Sequence, residues 1–150
     1  MRNRSVPADT VLPHLTYAKL DESIAWLSRV FGFEEYFRYG DPVAGAQMRQ
    51  GDAWIMVSGS REWSRSPAEI GFCTQMLSIF VQDVDGHYER AKAEGAKIVE
   101  VLHETVYGER QYGVEDLEGH RWLFASHARD VDPSEWGAKV TNPLNRVVGE

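Results

Sequence analysis

The side chains best suited to hold a metal or move a proton are five histidines: His14, His87, His103, His120 and His127. No two of them stand in an HxH, HxxxH or HExxH spacing, so local geometry brings no pair onto one face of a strand or helix. His14 sits two residues after Leu12 in a strand-like run, which gives the two residues the same face. His87 falls inside a helical pattern, and His103 closes a strand pattern. His120 follows Gly119 in a tight turn, and His127 follows the last strand pattern. The single cysteine, Cys73, excludes an internal disulfide and any CxxC site, which points to a reducing, cytoplasmic setting.

The elements that must position these residues form one compact domain of 150 residues. The net charge of −7 argues against nucleic-acid binding, which calls for a basic patch, and fits small-molecule chemistry with a slight preference for a cationic ligand. No apolar run is long enough for a membrane span. "MRNRSVPADT" has no apolar stretch behind its arginines, so it does not read as a secretory signal.

The chain repeats itself. "GDAWIMV" (51–57) is echoed by "GHRWLFA" (119–125) at an offset of 68. "YAKLDESIAWLSRVFGF" (17–33) is echoed by "FVQDVDGHYERAKAEGA" (80–96) at an offset of 63. Each of the longer pair reads as a strand end, an amphipathic helix and a glycine stop. Ile24, Leu27, Val30 and Phe31 make the first apolar stripe; Val84, Tyr88 and Ala91 make the second, with Asp83 as N-cap. Strands are expected near 12–17, 35–39, 44–49 and 53–57, then near 75–81, 97–103, 110–115 and 121–126. About five extra residues are expected in the loop near 104–110. The organisation expected is a first module at about 11–58, a Ser/Gly/Pro-bearing linker at 59–73, a second module at about 74–127 and a tail at 128–150. In the tail, Asp132 and Pro133 spell a short helix start, and Trp136 needs a surface to cover.

The order strand-helix-strand-strand-strand, twice, resembles the vicinal oxygen chelate superfamily, which includes glyoxalase I, extradiol dioxygenases, fosfomycin-resistance enzymes and bleomycin-binding proteins. "SIAWLSRVFGFE", "AQMRQGDAWIMV", "DVDGHYERAKAEGA" and "YGVEDLEGHRWLFA" carry the resemblance, which covers residues 11–127. The last is similar to the family's Asp-Pro-Asp/Glu-Gly-His-x-Trp-x-Phe ending, with Leu117 in place of proline. The resemblance implies an α+β fold: two βαβββ modules forming a half-barrel cleft, glyoxalase/bleomycin-resistance-like, plus a short C-terminal helical tail. It also implies a homodimer, with Trp136 a candidate for part of the contact.

Family enzymes take a divalent metal from the first and last strand of each module, usually on His and Glu. Carried over, those positions fall at Leu12, Ile55, Gln75 or Met76, and Leu123, none of which is a metal-binding acid or imidazole. No metal and no cofactor are therefore expected. If the ligand-equivalent positions face the cleft, Trp54, Met56, Trp122 and Phe124 pack under the helices. The ligand-binding candidates are then His14, Gln47 or its neighbour, Ile55, Met76, Ser78, Arg121 and Leu123, with Leu12, Thr16 and Val57 on the same face. Arg121 either pairs an anionic ligand or bridges to an acid on a nearby strand. Arg110 and Tyr112, with Tyr107, flank the extra loop and could close over a ligand. The function expected is small-molecule binding in an apolar cleft without the usual divalent metal. The alternative is a lyase- or dioxygenase-type enzyme with a relocated metal or a metal-independent site, in which His14 is the candidate general base because an imidazole titrates near neutrality. A third possibility is a structural or regulatory homodimer with a vestigial cleft.

Overall fold

The structure is a computed structural model that describes residues 11–142. The first half runs β1 (His14–Thr16), α1 (Leu20–Trp26), a π-helical turn (Leu27–Phe31), β2 (Glu34–Tyr39), β3 (Gly45–Gln50) and β4 (Ala53–Ser58). A connection with the one-turn helix α2 (Pro67–Ile70) leads to β5 (Met76–Phe80), α3 (Val84–Ala93), β6 (Lys97–Glu104), β7 (Glu109–Glu115) and β8 (Arg121–His127). Each half folds its strands into a four-stranded mixed sheet, in the orders β1-β4-β3-β2 and β5-β8-β7-β6. The two modules have the same topology, as the repeat requires. A 3₁₀ turn at Pro133–Trp136 follows, opened by the Asp132 carboxylate accepting from Ser134 N–H at 2.9 Å. Trp136 packs edge-on to Tyr107, with ring centroids 5.8 Å apart.

The two helices show how the repeat was edited. Both end on a glycine with φ of +82°, a left-handed backbone that side chains with a Cβ resist. From its first flanking residue, Lys19, to Gly32, the first helix holds one residue more than the stretch from Asp83 to Gly95. The π-helical turn takes up that residue, because widening one turn leaves the helix direction and the buried stripe intact. Ile24, Leu27, Val30 and Phe31 are all buried.

The inner faces of both sheets and both helices share one core. Leu15, Tyr17, Ala46, Met48, Ile55 and Val57 come from the first sheet, and Ile79, Tyr112, Val114, Trp122 and Phe124 from the second. Phe31 joins them, its ring centroid 5.6 Å from that of Trp122 and 4.8 Å from that of Phe124.

The turn between β7 and β8 clasps the two modules together. The Asp116 carboxylate accepts from Tyr17 Oη at 2.6 Å, Trp122 Nε1 at 3.0 Å, Glu118 N at 3.1 Å and His120 N at 2.9 Å. Burial pushes its pKa up, and burial followed by the charge of Asp116 pushes the Tyr17 phenol up as well. Two residues on, the Glu118 carboxylate accepts from Ala18 N at 2.8 Å, Lys19 N at 2.9 Å, Ser23 Oγ at 3.0 Å and Ser66 Oγ at 2.7 Å. Lys19 cannot cap α1 with its own side chain, so an anion from the other module closes the N-terminus of that helix. His120 Nε2–H donates to the Thr16 carbonyl at 2.7 Å. The acidic-glycine-histidine ending is thus a mortise between modules.

Candidate ligand-binding site

Strand pairing decides which residues look away from the core. In the first sheet Met48 pairs with Ile55 and Ala46 with Val57, and all four are buried beneath α1. Gln47 pairs with Met56, and His14 with Met56 on the other side. His14, Thr16, Gln47, Trp54 and Met56 therefore lie on the open face. In the second sheet Ser78 pairs with Leu123 and Met76 with Arg121, on the face opposite Trp122 and Phe124.

These pairings overturn half of the face assignment. Trp122 and Phe124 do pack under the helices, but Ile55 is 0% exposed in the core, and Val57 is beside it. Trp54 and Met56 hold the open face instead. The physical reason is the turn preceding each strand. Arg49 pairs with Trp54 across four residues, whereas Glu115 pairs with Arg121 across five. Both turns contain a glycine with positive φ, and aligning Gly51 with Gly119 slips the register by one. A slip of one residue in a strand moves every side chain to the other face. The extra length is also distributed differently from the expectation: part lies in β6 and the β6–β7 loop, and one residue lies in the β7–β8 turn.

Two further candidates leave the site. Tyr112 is fully buried in the core, where its hydroxyl bonds the Nδ1 of His87. Arg110 grips Asp85, in the first turn of α3, through two bonds of 3.1 and 2.7 Å. That pairing holds the Asp85 carboxyl below its ordinary pKa. Both residues sit on the helix side of β7, because they alternate in phase with Val114. Arg121 takes the bridging option and reaches Glu115 at 3.4 Å, which also pairs with Lys97 at 3.2 Å.

His14, Gln47, Met76, Ser78, Arg121 and Leu123 remain on open faces. Gln47 is sealed at the centre of β3, between its strand neighbours Phe37 and Met56, and neither amide atom has a hydrogen-bond partner among the described residues. Around it the open face is aromatic. Tyr36 stands edge-on to Trp54 at 5.7 Å, Arg49 lies over Trp54 at 5.8 Å, and Tyr39 overhangs Gly45. On the second sheet, Glu100 accepts from Gln111 Nε2 at 2.8 Å and pairs with His103 Nε2 at 2.9 Å. Counting alternation outward from the hairpin pairs, rather than from the glycines, finds Trp54 and Met56. Tyr36 lies at a bulge in β2, which no alternation rule locates. Among the described residues, no three His, Cys, Asp or Glu side chains are grouped closely enough to hold a metal ion.

Comparison with known proteins agrees with this architecture. Residues 10–124 match the family model described as Glyoxalase/Bleomycin resistance protein/Dioxygenase superfamily. The structure resembles that of TioX from Micromonospora sp. ML1, with a TM-score of 0.68 and 35% identity over 79% of this chain and 98% of that one. It also resembles the fosfomycin resistance protein FosX from Listeria monocytogenes, with a TM-score of 0.60 over 80% and 93% of the two chains. At 18% identity that likeness shows the fold alone. Among curated sequences, uncharacterized proteins of Mycobacterium bovis and Mycobacterium tuberculosis (strain H37Rv) are 30% identical over 79 residues. Those residues are 53% of this chain and 52% and 46% of the relatives, so the chain spans about half the length of the curated relatives it matches.

Proposed function

Because the chain belongs to the glyoxalase/bleomycin resistance protein/dioxygenase superfamily, we propose that it binds a small molecule on its open sheet faces without the divalent metal that many members use. One observation carries the reading. The open face of β5 leaves Met76 56% and Phe80 62% exposed on either side of Ser78, with Leu123 half-buried beside them. An apolar sheet face with a few polar anchors suits a ligand better than water.

The donor set at the end strands supports the metal-free part. The cleft-facing positions hold His14, Met56, Ser78 and Leu123. One imidazole, a thioether, a hydroxyl and an aliphatic group do not make the His and carboxylate set that Zn²⁺, Ni²⁺, Mn²⁺ or Fe²⁺ takes. Elemental analysis of purified protein is expected to find no stoichiometric divalent metal; about one Zn, Ni, Mn or Fe per chain, lost on His14→Ala, would contradict this.

The same exposed faces favour a homodimer. Among the described residues β1 and β5 each have one edge free of sheet partners, and a second copy pairing open face to open face would complete a cleft. Sedimentation equilibrium at micromolar concentration should give twice the chain mass of 17.0 kDa, and a monomer would refute the dimer. The lone Cys73 fits a cytoplasmic setting, and no helix among the described residues is long and apolar enough to cross a membrane. A thermal-shift screen of small molecules tests the binding reading itself. Ligands that raise the melting temperature of the wild type and not of Leu123→Glu support it. A screen without any such ligand counts against it.

A further inference from the structure

The connection between the modules is tied to the turn between β7 and β8, and together they bring apolar side chains to one groove. Ser66 Oγ donates to the Glu118 carboxylate at 2.7 Å, and Ala68 N donates to the Glu118 carbonyl at 2.9 Å. Past α2, Gly71 turns the chain with a φ of +89°, and Phe72 follows, 63% exposed. On the turn itself Leu117 is 46% exposed. Both line a groove of about 700 Å³, and Trp26 of α1 lines it too. The Trp26 indole is fixed edge-on to Phe31, with ring centroids 4.9 Å apart. A groove walled by large apolar side chains from three elements suits a small molecule, for which roughly 300–1,000 Å³ is the usual volume. Of the ligand-binding candidates on the open faces only Arg121 lines it, so it is a second site.

Charge selects among the ligands it could take. Lys97, Glu115 and Arg121 lie in one row across β6, β7 and β8 and line the same groove. Glu115 holds Lys97 Nζ on one carboxylate oxygen at 3.2 Å and Arg121 Nη2 on the other at 3.4 Å. One acid thus answers two exposed cations, which leaves a positive charge in excess. Nε and Nη1 of Arg121 have no hydrogen-bond partner among the described residues. The other acids of the lining, Asp116 and Glu118, are buried, and their carboxylates face the donors of the clasp. A guanidinium and an ammonium held on one carboxylate suit the oxygens of a ligand acid.

We propose that this groove binds an amphiphilic organic anion, its apolar body against Trp26, Phe72 and Leu117 and its acidic group on Lys97 and Arg121. The site is separate from the open-face ligand site and does not depend on it.

Calorimetric titration of the full chain with octanoate tests it. The controls are octanol, which loses the charge, and octylamine, which reverses it. The wild type should bind octanoate more tightly than either. The double variant Lys97→Gln, Arg121→Gln should weaken octanoate about tenfold and bring it level with octanol. Phe72→Ala should weaken octanoate and octanol alike, because it removes apolar wall and no charge. All three side chains are exposed, so these variants should melt close to the wild type. In methyl NMR, octanoate should shift the Leu117 methyls and leave those of Met56 and Leu123 in place. No binding of octanoate overturns the proposal, as does equal affinity for octanol or octylamine, or unchanged affinity in the double variant. Shifts at Met56 and Leu123 with Leu117 unmoved put octanoate on the open face; that result overturns the groove and leaves the open-face reading standing. Conversion of a dimer to a monomer by Phe72→Ala assigns the wall to an interface and also overturns the proposal.

Discussion

Leu123 and Trp122 are neighbours in β8 with opposite surroundings. Trp122 is buried against Phe31 and Phe33 and donates its indole N–H to Asp116, whereas Leu123 lies half-buried on the open face opposite Ser78. Trp122→Ala should therefore cost about 3–5 kcal/mol, from lost burial and the cavity left behind. Leu123→Glu should cost under about 1 kcal/mol, because water can reach the new carboxylate. Thermal melts of the two variants check the order, and a Leu123→Glu protein melting far below Trp122→Ala would overturn the face assignment. Trp122 was legible from sequence because it lies next to a strong apolar alternation. Ile55 faces the core against the expectation because the glycine that marks its turn sits one place out of step with Gly119. Gln47 falls on the face that its strand position predicts, but its lack of hydrogen-bond partners among the described residues depends on three strands meeting and leaves no local trace.

Among the elements, the order of strands and helices was readable almost throughout, since apolar periods of two and of 3.6 alternate cleanly along the chain. The clasp was not readable. Nothing near Lys19 shows that its helix is capped, because the cap arrives from Glu118, about a hundred residues away. Glu118→Ala should leave two backbone N–H groups and two hydroxyls without their anion and cost about 3 kcal/mol, measurable by urea denaturation. A loss below about 1 kcal/mol would show that α1 does not depend on the clasp. The π-helical turn makes a second prediction at this scale. If it accommodates one inserted residue, deleting the exposed Arg29 should be tolerated better than deleting the exposed Glu89 from the regular helix α3. Equal losses in the two deletions would show that the turn has another origin.

The molecule as a whole is held at a seam in which His87 is central. Its Nε2–H donates to the Phe31 carbonyl at 2.9 Å, leaving Nδ1 to accept from the Tyr112 hydroxyl, and Gln50 Nε2 stands 3.1 Å away. Burial, more than the nearby Arg90, lowers the His87 pKa to about 4, while the Phe31 carbonyl and Asp83 oppose that shift. A histidine kept neutral in the fold stabilises it fully above its ordinary pKa near 6.5, and that stability is lost as pH falls toward 4, where the unfolded chain takes up the proton first. The contribution is on the order of 2–3 kcal/mol. Denaturation at pH 7 and pH 4 should show a loss of that size for the wild type and a smaller one for His87→Gln; equal losses would remove His87 from the account.

The central claim is that ligands meet the open faces of the two sheets and not the core between them. Methyl NMR of the full chain during titration with a ligand from the thermal-shift screen tests this directly, because the two faces carry different methyl groups. The Met56 and Leu123 methyls should shift with ligand, while those of Ile55, Val57 and Val114 in the shared core stay in place. Shifts confined to Ile55, Val57 and Val114, with Met56 and Leu123 unmoved, would contradict it.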